Sequence, residues 1–195
     1  MPSESFDHFR GIHAATVCPL QGDGGIDEDT LAAHLSAVSR ADGITGLLIN
    51  GHAGENFMLG RDEKRRVTEI ARRACPSHTL LVCGINAEDS LEAQRHVDDA
   101  EAAGADAVLV FPPFSWALSQ DADMAVRHHR IATSNSSLPL FLYQAGVRAG
   151  ALVRLGGSRS GGGAVSSSGR PRPRAQTAFA QPSGVSGRAS RPGAA

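Results

Sequence analysis

Five short, largely apolar runs punctuate the first three-quarters of the chain: Ile12–Cys18, Gly46–Asn50, Leu80–Gly84, Ala107–Phe111 and Leu140–Tyr143. Each is four to seven residues long and most are rich in Val, Ile or Leu, the texture of strands buried on both faces. Between them apolar positions recur at helical spacing. Leu31, Leu35 and Val38 share one face of a first helix, with Asp27 as its N-cap and Ile26 and Leu31 as a hydrophobic staple. A second helix is predicted from about Arg61 to Ala74, with Val67, Ile70 and Ala74 inward and a basic outer face; Pro76 prevents its continuation. A third starts at Asp89 or Ser90, groups Ala93, Val97 and Ala100, and stops at Gly104. A fourth is predicted over Asp121 to Ala132.

Strand starts fall 27–34 residues apart, the length of one strand–helix unit. Strict βα alternation implies a parallel sheet with right-handed crossovers, either doubly wound or part of a (β/α)8 barrel. No G-x-G-x-x-G follows the first strand, which argues against the nucleotide-binding version. The unusual residues lie just after strand ends: Gly51–Glu55, Asn86, Pro112–Trp116 and Tyr143–Arg148. In either fold that is the functional face.

After Arg148 this texture stops. The sequence divides into a leader (1–10), a folded α/β region (11–148) and a Gly/Ala/Arg/Ser/Pro-rich tail (149–195). In the last forty residues Val165, Phe179 and Val185 are the only large apolar side chains, so the tail is read as disordered. Charge divides the same way. Residues 1–148 hold 20 acids against 12 bases, whereas 149–195 hold seven arginines and no acid. Such a change near Gly150 is what a shifted reading frame in GC-rich coding DNA would produce. The 195-residue chain is 41% hydrophobic and 20% charged, as suits a globular core. It has no apolar run long enough for a membrane span and no signal-peptide pattern at its start. Cys18, Cys75 and Cys83 lack the spacing of a disulfide framework or zinc site. The expected location is the cytoplasm, with no metal and no cofactor.

Several motifs, in order, resemble the dihydrodipicolinate synthase and N-acetylneuraminate lyase family. Val17-Cys18-Pro19-Leu20 and Asp23-Gly24-Gly25-Ile26-Asp27 resemble its opening strand and DG-x-ID turn. Asn50-Gly51-His52-Ala53-Gly54-Glu55 resembles its G-x-x-G-E loop, and Leu59 to Arg65 the helix start that follows. Gly104 to Val108 with Pro112-Pro113-Phe114 resembles strand four and its end; Leu138-Pro139 and Tyr143 resemble strand five. The resemblance spans about residues 10–150 and implies a partial (β/α)8 TIM barrel of about five βα units. Family members form a Schiff base between a strand-six lysine and a pyruvate-type 2-oxo acid, and the iminium then serves as electron sink. They assemble as homo-oligomers.

The resemblance implies that Tyr143 is the general acid/base. It implies that Gly51, His52, Ala53 and Gly54 hold the substrate carboxylate through backbone N–H groups, with His52 adding a donor. Arg148, five residues after Tyr143, stands where a family arginine meets a second carboxylate, although the Asn and Pro of Y-N-x-P-x-R are lost. The resemblance further implies that His52 and Ala53 replace the loop's usual hydroxyl residues and that Phe114 stands where the synthases have a second tyrosine, so two hydroxyls of the synthase proton relay are missing, which favours a relative acting on another 2-oxo acid. Glu55 is read as an acceptor for loop N–H groups. His128 and His129 point to different faces of a helix, so a shared metal is not expected. Cys18 and Cys83 read as small core residues.

The main departure is the lysine. The window where strand six should end contains Ser166–Ser168, Gly169, Arg170 and Pro171, with no lysine and no strand. The sole lysine, Lys64, is expected on the charged face of the second helix. An arginine cannot replace it, because it stays protonated. The chain as written is therefore expected to be inactive. The alternative is a non-catalytic scaffold whose arginines bind nucleic acid or an acidic partner. Without aromatic interleaving beyond Phe179, sequence-selective nucleic-acid binding is not supported.

Overall fold

The computed structural model describes residues 6–118 and 120–143. Five strands alternate with four helices: β1 Ile12–Ala15, α1 Glu28–Ser39, β2 Ile44–Ile49, α2 Arg61–Ala74, β3 Leu80–Ile85, α3 Ser90–Ala102, β4 Ala107–Val110, α4 Ala122–Ala132 and β5 Leu140–Leu142. Short 3-10 turns occupy Phe6–Phe9, His52–Gly54 and Phe114–Ala117. The strands form one sheet in the order β1-β2-β3-β4-β5, every neighbouring pair parallel.

Residue parity separates the two faces of the sheet. Leu47, Ile49, Leu81, Cys83, Ile85, Val108 and Val110 are buried in one core with Leu31 and Leu35 of α1, Val67 and Ile70 of α2, and Val97 of α3. Their strand neighbours Leu48, Leu80, Val82, Ala107 and Leu109 face the other way and form a second cluster with Phe9 and Phe141. Phe9 meets Phe141 edge-on at 5.3 Å between ring centroids, which brings the segment before β1 against β5. Consecutive helices pack against one another in chain order. A doubly wound sheet reverses strand order and carries helices on both faces. Sequential order with helices on one face is instead the arrangement of the first five units of a (β/α)8 barrel.

Asp27, Asp89 and Asp121 each cap a helix, accepting from the N–H of Thr30, of Leu91 and Glu92, and of Met124. Gly104 (φ +92°) turns the chain out of α3, in a left-handed region that costs other residues strain.

The strand ends differ from the sequence reading. β1 stops at Ala15 rather than Cys18; Thr16 N–H still donates to Leu48 O (3.1 Å), but the chain then turns towards Pro19 and pairs Leu20 with Ile26. β2 begins two residues early, because Ile44 aligns with Ile12, and ends at Ile49, because Asn50 has φ 50°. β4 ends at Val110, before the Pro112-Pro113 pair that offers no N–H to a ladder.

Lys64 corrects another expectation. It lies three and four residues before the buried Val67 and Thr68, so it borders the inner stripe of α2. It is partly buried, and its Nζ donates to Asn86 O (3.3 Å). Burial lowers its pKa. Arg148 and the whole 149–195 region lie outside the described residues.

Candidate functional site

The site lies where β2, β3, β4 and β5 end. Asn50, almost fully buried, leaves β2 with φ 50°. Its Nδ2 donates to Lys64 O (2.8 Å) and lies 3.3 Å from Thr68 Oγ1 and 3.4 Å from Cys83 Sγ. Asn50 O accepts from Asn56 Nδ2 (2.8 Å), and Asn56 Oδ1 accepts from Asn86 Nδ2 (3.3 Å). Three asparagines thus tie the 50–56 loop to α2 and to the end of β3. Gly84 permits the approach: a Cβ there would collide with Asn50 O.

Within this frame residues 52–54 form a 3-10 turn. Gly54 N–H donates to Gly51 O (3.0 Å), Glu55 N–H to His52 O (3.1 Å) and Asn56 N–H to Gly51 O (3.4 Å). The N–H groups of His52 and Ala53 have no bonded acceptor among the described residues. Two adjacent free donors at a turn are suited to an anion. Gly51 and Gly54 are buried, and a Cβ on Gly54 would lie 3.2 Å from Thr16 O. Glu55 does not act as the sequence suggested. It is exposed with φ 54°, and no loop N–H among the described residues donates to its carboxylate.

The His52 ring reaches across the strand ends. It stacks on Phe111 (centroids 4.1 Å apart, 20° between planes), lies 5.8 Å from Phe114, and meets Tyr143 edge-on at 5.9 Å. Phe111 is itself 4.8 Å from Tyr143. Burial lowers the His52 pKa, which favours a neutral imidazole at pH 7. Thus the structure brings together four of the sequence-predicted residues of the loop and Tyr143, while Arg148 falls outside the described residues.

Phe114 stands at the rim, 56% exposed. Its position is set by Glu88, whose carboxylate accepts from Phe114 N–H (2.6 Å) and Ser115 N–H (3.0 Å). These bonds, with one from the Ser115 side chain, outweigh desolvation and lower the Glu88 pKa.

Glu88, Phe111 and the Asn50–Asn56 pair were not singled out from the sequence. A polar residue directly after a strand end is the one signal that marks Asn50, as it marked Asn86. His128 and His129 do not point to different faces of the helix: both are buried beside Trp116 and their rings meet edge-on at 5.5 Å, one bonded to Ser90 Oγ (2.9 Å) and the other to Ala125 O (2.7 Å). Among the described residues no group of three or more His, Cys, Asp or Glu is placed to hold a metal ion. Cys18 and Cys83 are buried thiols; burial, then Glu63 and Glu55, pushes Cys18 up to about 11. No helix among the described residues is long and apolar enough to cross a membrane.

Residues 8–156 match the model of the dihydrodipicolinate synthetase family. A 4-hydroxy-tetrahydrodipicolinate synthase of Methanothrix thermoacetophila is 32% identical over 149 residues, which is 75% of this chain and 48% of that protein. One of Bifidobacterium longum is 31% identical over 148 residues, 76% of this chain and 48% of its own. The chain therefore spans about half the length of the curated relatives it matches. Among solved structures, dihydrodipicolinate synthase of Agrobacterium tumefaciens superposes with a TM-score of 0.63 at 30% identity, over 71% of this chain and 46% of that one. N-acetylneuraminate lyase of Mycoplasma synoviae shares the fold at 20% identity, with a TM-score of 0.66 over 73% and 49% of the two chains. A prophage protein of the same family from E. coli, in complex with pyruvate, gives 0.64 at 25% identity over 70% and 45%. The ordered strand ends, the G-x-x-G-E loop and the match over residues 8–156 lead to one conclusion: the chain belongs to the dihydrodipicolinate synthetase family, whose (β/α)8 barrel it represents in part.

Proposed function

We propose that the folded region carries the carboxylate-binding loop and the proton-transfer residue of a lyase site for pyruvate-type 2-oxo acids. The supporting observation is the convergence of His52, from the end of β2, and Tyr143, from the end of β5, on the ring of Phe111. In this reading the N–H groups of His52 and Ala53 hold the substrate carboxylate. Gly54 lets the turn lie close to the end of β1 and Gly51 lets it pack on Leu48 of β2, and Tyr143 moves a proton at the reacting carbon. Arg148 is proposed to meet a second carboxylate. His52 and Ala53 in the loop and Phe114 at the rim leave the site without the hydroxyls of the synthases, so the favoured substrate is another 2-oxo acid rather than that of dihydrodipicolinate synthesis. A cytoplasmic homo-oligomer suits a chain with three free buried cysteines and, among the described residues, two sheet edges at β1 and β5.

The 195 residues contain no lysine after Lys64, and Lys64 Nζ is bonded to Asn86 O rather than presented beside Tyr143. We propose that this chain binds a 2-oxo acid weakly and forms no Schiff base with it. Saturation-transfer NMR with pyruvate tests the first half: the methyl signal should respond to wild type and lose that response in Gly54→Val. Borohydride treatment with pyruvate tests the second: no pyruvyl adduct should form on an ε-amine. A borohydride-trapped adduct on Lys64 would overturn the mechanistic part while leaving the binding loop intact.

A further inference from the structure

A cavity lies away from Tyr143, between the starts of α3 and α4. It measures about 360 Å³ and is lined by Glu88, Ser90, Trp116, Asp121, Asp123, Met124, Arg127 and His128. That volume suits a small organic molecule. The space behind Lys64, by contrast, holds about 10 Å³, room for one water.

The walls are chemically uneven. Three carboxylates face a single guanidinium. Asp121 and Glu88 each already accept from backbone N–H groups, whereas Asp123 accepts from none of the described residues. Trp116 and Met124 supply an apolar wall, and an indole face attracts cations. His128 adds an independent sign. It is 3% exposed; Nδ1 is engaged by Ser90 Oγ, and Nε2 has no partner among the described residues. A buried polar atom without a partner is costly unless something else supplies its bond. In the tautomer whose Nδ1–H donates to Ser90 Oγ, Nε2 presents a lone pair, which an N–H donor can meet. Burial keeps this ring neutral at pH 7, so it does not repel a cation.

We propose that this cavity binds a small organic cation of the primary ammonium class. The ammonium lies among Glu88, Asp121 and Asp123, and its alkyl body rests on Trp116 and Met124. Because Glu88 also holds the turn that carries Phe114, the cavity and the rim of the Tyr143 site share one carboxylate.

Trp116 is the only tryptophan, so its fluorescence reports occupancy in the full chain. n-Butylammonium chloride should change that fluorescence saturably, while n-butanol at equal concentration and sodium chloride at equal ionic strength should not. Asp123→Asn removes a charge without breaking a hydrogen bond among the described residues, and should weaken n-butylammonium binding about threefold to fivefold. Glu88→Gln should weaken it similarly. As a second measurement, the His128 Nε2 resonance of wild type should shift on addition of n-butylammonium. Equal responses to the amine and the alcohol, or no saturable response at all, would overturn the proposal. So would undiminished affinity in a folded Asp123→Asn variant, or an unmoved His128 resonance.

Discussion

Asn50 carries more of the site than its position in the sequence suggests. It sets the loop's direction through a left-handed backbone and holds it through Nδ2. Asn50→Ala leaves the buried Lys64 carbonyl without that donor and should cost about 1–3 kcal/mol in urea denaturation. Asn50→Gly removes the same bond but relieves the backbone, and should cost less. His128 makes a pH prediction. Its pKa falls from 6.5 to about 4 because burial, then His129, disfavours the charged ring. Between those values the unfolded chain takes up a proton that the folded chain refuses, so stability drops as pH falls from about 6.5 to about 4. The contribution is on the order of 3 kcal/mol. Urea midpoints at pH 7 and 4.5 measure it, and His128→Gln should flatten the difference. Tyr143 and the 51–54 turn were legible in the sequence because their motif is local. Lys64 was not, because its burial depends on Asn86 arriving from another strand.

Helix beginnings were the most readable elements. Asp27, Asp89 and Asp121 each act through hydrogen bonds within three residues, so local sequence suffices. Asp27→Ala should cost about 1 kcal/mol of thermal or urea stability. Strand ends were less readable, because a ladder stops where its neighbour stops. β1 continued in the sequence reading to Cys18, yet its pairing with β2 ends with the Thr16 N–H bond to Leu48. Glycines separate two kinds of constraint. Gly104→Ala strains one residue of backbone at the end of α3 and should cost about 1 kcal/mol. Gly84→Ala drives a methyl into the Asn50 carbonyl and should cost about 1–3 kcal/mol, with the 50–56 loop displaced. Amide exchange of Gly54 and Asn56, whose N–H groups donate to Gly51 O, would accelerate in the second variant and not in the first.

Across the whole molecule, the parity of buried residues and the sequential strand order set the architecture, and both follow from regular βα spacing. That spacing was legible; the choice between a doubly wound sheet and a barrel came from the motifs. The family match stops at residue 156, just after Arg154, the first of the seven arginines of residues 149–195. If the change of texture near Gly150 is a shifted frame, another frame downstream of codon 150 should encode a strand carrying a lysine and three more βα units. Resequencing and translation check this directly. If residues 149–195 are instead a nucleic-acid-binding segment, RNA affinity should fall steeply with salt and vanish when they are removed. Such a result would favour the scaffold reading over the lyase reading.

The engagement of Lys64 has a consequence for how this protein can be followed in solution. A chain with one ε-amine, bonded to Asn86 O at the junction of α2 and β3, contains a single-site clock for local opening. An acylating reagent should modify that amine slowly while α2 is seated, and faster whenever the helix lifts from the sheet. The labelling rate, read by mass spectrometry, would then measure the opening free energy of one helix without any engineered probe.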